Sequence, residues 1–329
     1  MPAQAVTRST DRRTPTRVVV AVLTYRRPGD LAELLRALQV QRLEAGTGGA
    51  FQVGVLVVDN DPDTSGRAVC EANGMPGLRY VPEPRPGIAA ARNRALDEAG
   101  DEDVLVFIDD DERPSDGWLR LMLNAFLVTG RVGVVGPVIS TFAAPLEPWV
   151  QAGRFFDRRR LPTGTLVTVA ATNNLLLDLP RVRASGVRFD EHFGLSGGSD
   201  TVFVRQLVRA AGPLVWCDEA TVTDLVPAGR CSRRWVTRRA FRMGNSWSRT
   251  SLVLEHHLIG RLRCRLALTG AGSVRLIGGL ARYLLGMATG DLGRRARGVR
   301  TLLRGAGMLL GTYGYTYVEY RRHPSPAVR

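Results

Sequence analysis

Three aspartates and a glutamate stand in a row at positions 109–112, directly after the apolar run V-L-V-F-I of residues 104–108. The run has the length and branching of a strand buried on both faces. Clustered carboxylates at its mouth repel one another and resist ionising together. A bound cation removes that cost, so Asp109 and Asp111 are candidate ligands for a hard divalent ion, which would in turn hold a phosphate-bearing ligand. The alternative is a solvated acidic loop after a core strand. Two other acidic sites bear on the choice. The apolar run 53–58 ends in Asp59-Asn60-Asp61, and a glycine-rich turn, G-L-S-G-G-S-D over 194–200, delivers Asp200 to the start of a helix.

The elements that must position these acids follow from periodicity. Residues 17–23 read as a buried first strand, broken by Thr24-Tyr25-Arg26-Arg27-Pro28-Gly29, after which Asp30 is placed to cap a helix. Leu31, Leu34, Leu35 and Leu38 then share one helical face. A second strand over 53–58, a short third over 79–81, a Pro/Gly loop over 82–87 and a small-residue helix over 88–99 lead into the acidic strand. Strand, helix, strand, helix, strand predicts a mostly parallel, doubly wound α/β sheet, which binds ligands outside the carboxyl ends of its strands. Asp59 and Asp109 hold equivalent strand-end positions and so could face one crevice. Further on, strands are expected over 132–138, 165–171 and 214–217, a polar turn at Thr172-Asn173-Asn174 and a helix over 201–211. No G-x-G-x-x-G or P-loop follows the first strand, which removes most of the case for dinucleotide enzymes and P-loop NTPases.

Charge is distributed unevenly. The 329-residue chain carries a formal net charge of +14, and every basic residue counted as Lys or Arg is arginine. Residues 1–226 hold 25 arginines against 28 acids; residues 227–329 hold 20 against 3. The basic C-terminal third therefore predicts an anionic partner surface. Cys70, Cys217, Cys231 and Cys264 lie far apart without metal-ligand spacing and read as reduced thiols of a cytosolic protein. Residues 1–16 lack the apolar core of a signal peptide and read as a disordered leader.

In this order and spacing, V-L-T-Y-R-R-P, V-V-D-N-D, P-G-I-A-A-A-R-N-R-A-L, F-I-D-D-D-E, F-G-L-S-G-G-S-D-T and R-R-A-F-R-M-G-N-S resemble the inverting family 2 glycosyltransferases. Within that family they are similar to the succinoglycan-type exopolysaccharide glucosyltransferases. The resemblance spans about residues 17–247 and implies the GT-A nucleotide-diphospho-sugar transferase fold. It implies a catalytic domain over 17–226, with a nucleotide-binding half (17–112) and an acceptor half (113–226), followed by an arginine-rich helical extension over 227–329. By the same resemblance Thr24, Tyr25 and Arg26 line the nucleoside pocket, Asp59 accepts from the base, and Arg92 and Asn93 lie beside the nucleotide. Asp109, Asp110 and Asp111 form the D-x-D region, with Mn2+ or Mg2+ on Asp111 and Asp109. Asp200 is the general base, and Asn173, Asn174, Gly197 and Gly198 lie near the sugar or acceptor. The chemistry agrees: a leaving diphosphate needs its charge neutralised, and an inverting displacement needs one carboxylate to take the acceptor's proton.

Two departures stand out. Ser199 replaces a common acid before Asp200, and Thr223-Asp224 stands where many relatives carry a histidine, so that Asp224 is a candidate substitute at the metal site. The intact Q-x-x-R-W of processive synthases is also missing at Cys231-Ser232-Arg233-Arg234-Trp235, which points to single-sugar transfer. In the extension, Leu276, Ile277, Leu280 and Leu284, and again Val299, Leu302, Leu303 and Ala306, oppose arginines at helical spacing. Such helices lie in a membrane interface, and the uncharged stretch 305–318 suits shallow insertion. The expected partners are a nucleotide-diphospho-sugar (a uridine one by preference), a lipid-linked or small hydroxyl acceptor and an anionic membrane surface at the inner face of the cell membrane, with no nucleic acid. Competing classes are a nucleic-acid-binding basic protein, which leaves the acidic strand ends unexplained, and a sugar-nucleotide pyrophosphorylase, whose glycine-rich basic loop is only partly present at 24–29.

Overall fold

The computed structural model describes residues 15–194 and 196–317. The leader expected over 1–16 lies, up to residue 14, outside the described residues; Thr16 already opens a strand. Strand β1 (Thr16–Thr24) pairs in parallel with β2 (Phe51–Asp59) on one side and β4 (Val104–Asp109) on the other, and β3 (Leu78–Pro82) extends the sheet beyond β2. These strands are β-branched and apolar because both faces are covered by helices. One face packs α1 (Pro28–Gly46) and α4 (Trp118–Thr129), burying Leu31, Leu34, Leu35, Leu38, Trp118, Met122 and Phe126. The other packs α3 (Ile88–Glu98) and α7 (Ser199–Ala211), burying Ala89, Ala91, Ala95, Phe203 and Leu207. A short α2 (Arg67–Asn73) precedes β3.

Several expected boundaries are corrected. Helix α1 begins at Pro28, with Arg27 in the cap position and Asp30 inside the first turn, because proline at the first helical position sets φ and needs no amide partner. The acidic run is not one strand end. It breaks after Asp109 and resumes as β5 (Glu112–Pro114), which leaves the main sheet for a three-stranded one ordered β5-β11-β7. The strand expected over 132–138 splits into β6 (Gly133–Val135) in the main sheet and β7 (Val138–Phe142) in the small one. Gly136-Pro137 makes the break: a Cβ at Gly136 would collide with the Ala220 carbonyl oxygen, and Pro137 has no amide for a ladder. Of the strand expected over 165–171, only β8 (Leu166–Val167) forms.

The complete main sheet runs β3-β2-β1-β4-β9-β6-β10-β8, where β9 is Asn174–Asp178 and β10 is Leu214–Trp216. Strands β9 and β8 are antiparallel to their neighbours, so the sheet is mainly parallel. The short helix α6 (Leu179–Ser185) follows β9, capped by the Asp178 side chain. Strand β11 (Val222–Val226) pairs with β5 and β7.

Three helices follow: α8 (Arg233–Val253), α9 (Leu258–Ala288) and α10 (Leu292–Thr312). With α5 (Pro148–Ala152), α8 and α10 enclose Trp149, Phe156, Val236 and Ala296 in a separate apolar cluster. Helix α10 lies against both α8 and α9, and glycines make this close approach possible. A Cβ at Gly307 or Gly244 would strike the carbonyl oxygen of Phe241 or Arg304, and Gly272, Gly279 and Gly286 of α9 meet α10 in the same way. The apolar face of α10 on which the sequence places a membrane contact lies partly against these helices. That face is half-buried inside the protein, and Gly305, Gly307, Met308, Gly311 and Thr312 are buried, whereas residue 318 lies outside the described residues. Helix α9 differs: Ile259, Leu262, Leu266, Ile277, Leu280 and Leu284, which share one helical stripe, are all exposed. Among the described residues no helix is long and apolar enough to cross a membrane.

Candidate active site

Register places the acids. Across β1, Asp59 stands opposite Thr24, and Leu23 stands opposite Asp109, so the carboxyl ends of β2, β1 and β4 form one edge. Immediately beyond that edge, beside the break between β4 and β5, opens a cavity of about 450 Å3. Asp109, Asp111, Arg92, Asn173 and Asp200 line it together, joined by Glu112 and Asp224. Carboxylates from β4, the β4–β5 turn, β5, α7 and β11 thus share one chamber.

Burial dominates the electrostatics of the acidic wall. It pushes Asp109 up to about 7, with Arg92 opposing and the neighbouring Asp111 and Asp110 adding to the rise. Asp110 is pushed up to about 6 by burial, opposed by Arg27. Glu112 is raised well above the usual carboxylate range by burial and then by Asp109. It accepts from the Asn173 amide at 2.6 Å and from the Asp109 backbone N–H at 3.2 Å.

One cation already serves the cluster. Arg27 Nη1 lies 3.0 Å from Asp110 and 2.6 Å from Asp111, and Thr24 Oγ1 donates to Asp110 at 2.9 Å. The sequence singled out the other arginine of the pair. Arg26, held at a positive φ of 56°, turns away to Asp61 and Asp63. Nothing in the doublet Arg26-Arg27 tells which member turns inward; the cap geometry of α1 decides it.

The remaining predicted site residues divide by role. Arg92 donates to Ser199 Oγ at 3.2 Å, lies over the Phe189 ring, and keeps a buried Nε with no hydrogen-bond partner among the described residues. Asp200 sits in the first turn of α7 and accepts from the Thr201 backbone N–H. Gly197 and Gly198 adopt φ of +77° and +106°, which a side chain rarely allows; they shape the turn into α7 without lining the cavity. Asp59 is fully buried, and its carboxylate accepts from the backbone of Asp61 and Gly66 and from the Tyr80 hydroxyl, so it organises the loop after β2. Tyr25 is exposed beside it on the sheet edge and, like Thr24, Arg26, Asp59 and Asp110, does not line the cavity.

Asn93 and Asn174 are also outside the cavity lining. Asn93 exchanges two hydrogen bonds with the Phe189 backbone, fastening α3 to the segment before α7. Asn174, expected beside the sugar, is buried instead. It receives the Trp118 indole N–H and donates to the carbonyls of Pro137 and Ala220, tying α4 to the break between β6 and β7. Asp224 does line the cavity wall, opposite Glu112 across the β5–β11 pair, but Arg158 pairs with its carboxylate.

Divalent metals commonly serve enzymes of the family that this chain resembles. Among the described residues no group of three or more His, Cys, Asp or Glu is arranged to hold one. The donor chemistry nevertheless fits a Mg2+-type ion, which takes one or two carboxylates plus water and phosphate oxygens rather than a protein cage. Asp109 and Asp111 are hard oxygen donors that line the cavity side by side.

Comparisons with known proteins identify the family and the fold. The family model described as glycosyl transferase family 2 matches residues 19–178. The chain is 32% identical over 303 residues to the succinoglycan biosynthesis protein ExoM of Rhizobium meliloti (strain 1021), covering 91% of this chain and 94% of that protein. In structure it resembles residues 1–349 of S. aureus TarS in complex with UDP-GlcNAc, with a TM-score of 0.50, 15% identity and coverage of 85% of this chain and 90% of that one. The UDP complex of the same TarS fragment gives a TM-score of 0.50 at 14% identity, covering 85% and 89%. The fold is GT-A-like, with a mainly parallel central sheet and added C-terminal helices. The chain belongs to glycosyl transferase family 2. It is a glycosyltransferase, moving a sugar from a nucleotide-sugar donor to a hydroxyl-bearing acceptor.

Proposed function

We propose that this enzyme transfers one hexose, with inversion, from a uridine diphospho-sugar to a hydroxyl of a lipid-linked saccharide in polysaccharide biosynthesis. The observation that carries the reading is the convergence of Asp109, Asp111 and Asp200 on one cavity from separate segments. In this reading Asp109 and Asp111 hold Mn2+ or Mg2+, which when bound supplies Lewis-acid neutralisation of the leaving diphosphate. Asp200 takes the proton of the acceptor hydroxyl on the face opposite the leaving group. Arg92 orients the donor, with its unpartnered buried Nε left for a substrate oxygen. Glu112 fixes Asn173 at the cavity wall by accepting from its amide. The relative's role in succinoglycan biosynthesis and the family's sugar-nucleotide chemistry support the substrate classes.

The catalytic unit in this proposal is residues 17–226, and the extension brings it to the inner face of the cell membrane. The net charge of +17 over 227–329 and the exposed apolar stripe of α9 together suit an anionic lipid surface. The test is a panel of sugar nucleotides with Mn2+, read by slow donor hydrolysis and thermal shift. Asp111→Asn should abolish metal-dependent nucleotide binding. Asp200→Asn should keep binding and lower transfer by a factor of about 10² or more. Parental transfer by the Asp200 variant would remove it as the base.

A further inference from the structure

The acidic wall of the cavity faces a basic one. Arg158, between α5 and β8, Arg230, after β11, and Arg239 and Arg242, on α8, line the same chamber. All four come from beyond residue 150, whereas Asp109, Asp111 and Glu112 come from the nucleotide-binding half. Asp224 stands at the boundary, within the fields of Arg158, Arg239 and Arg230 on one side and Asp111 on the other. Burial, then the charges of Arg158 and Arg242, press Arg239 down to about 10. Arg158 is paired with Asp224, but among the described residues Arg230 and Arg239 have no carboxylate within ion-pairing distance. Arg239 is held instead over the rings of Trp235 at 5.2 Å and Phe156 at 5.8 Å, which stack on each other at 6.0 Å. Flat-face packing of this kind leaves the N–H edge of a guanidinium for a ligand.

Arg158, Arg242 and Arg230 each repel Arg239, and a bound oxyanion offsets that repulsion. We propose that Arg158, Arg230, Arg239 and Arg242 form a subsite for a phosphate group carried by the acceptor. The inference rests on the transfer reaction proposed for this cavity. The donor's diphosphate is the other source of the same chemistry, but it belongs with the cation at Asp109 and Asp111, which leaves the arginine wall to the second substrate. A saccharide joined to its lipid through phosphate or diphosphate has this charge. Helix α8, which carries Arg239 and Arg242, leads directly into α9 and its exposed apolar stripe.

The probe is inorganic phosphate, titrated into the full chain and read by 31P line broadening, with and without saturating UDP and Mg2+. Phosphate should bind equally in both conditions. Arg239→Gln and Arg230→Gln should each weaken it about tenfold or more, as loss of one charge-assisted contact does, while UDP affinity stays within twofold. Thermal melting confirms that each variant is folded. Unchanged phosphate affinity in both variants overturns the proposal. So does competition between phosphate and UDP with parallel loss of UDP affinity, because the arginines would then serve the donor. A parent that fails to bind UDP would sink the donor reading alone; the arginine subsite would still stand or fall on the two variants.

Discussion

Replacing Asp109 by asparagine should stabilise the metal-free protein while removing a group that the proposed reaction needs. Burial pushes this carboxyl from its ordinary 3.8 up to about 7. The direction of the pH dependence follows. Below pH 3.8 the folded and unfolded forms are both protonated and the residue contributes nothing. Between 3.8 and 7 the unfolded chain ionises first, so the folded state loses stability as pH rises, and above 7 the full penalty is present. At about 1.4 kcal/mol per pH unit the penalty reaches about 4 kcal/mol, and the buried amide of asparagine gives back about 1–2 kcal/mol of that gain. The variant should therefore exceed the parent by about 2–3 kcal/mol at pH 8, and the gap should widen by about 2–3 kcal/mol between pH 5 and pH 8. Urea denaturation in chelator-containing buffer at the two pH values measures it. Added Mn2+ should then stabilise the parent and not the variant. A variant no more stable than the parent at pH 8, or a gap that does not change with pH, would refute the account of the acidic wall.

Gly307→Ala should lower stability by about 2–3 kcal/mol, since a Cβ there collides with the Phe241 carbonyl and forces α8 and α10 apart. Gly270→Ala, with open space around it on α9, should gain about 0.5–1 kcal/mol instead, and equal urea midpoints for the two variants would remove the close-packing argument. For the membrane surface, the pair Ile259→Ser and Leu266→Ser should reduce co-sedimentation with vesicles containing anionic lipid about tenfold or more. Unaltered binding would take α9 out of the interface.

Much of the site was legible because it rests on strand ends. An apolar strand buried on both faces admits few positions for a carboxylate, so Asp109, Asp111 and the sheet edge they occupy follow from local pattern, as does Asp200 at a glycine-led helix start. The strand boundaries around 132–138 did not, because the switch between sheets at Gly136-Pro137 depends on the Ala220 carbonyl, which is remote in sequence. Asn174 carried the same ambiguity. Its polarity marks a functional or a structural amide equally, and only the fold shows that its amide is engaged by the Trp118 indole and two distant carbonyls.

The sequence by itself determined the alternation of strands and helices, the acids at the strand mouths, the family and the basic character of the last third. These depend on periodicity and on residue type, which neighbours in the chain reveal. Only the tertiary structure decided that Arg27 rather than Arg26 balances the aspartates, that Arg158, Arg230, Arg239 and Arg242 assemble opposite them, and that α10 packs against both α8 and α9 while the apolar stripe of α9 stays exposed. Charges separated by 80 or more residues interact through space. Where they meet is fixed by how closely the helices between them can pack.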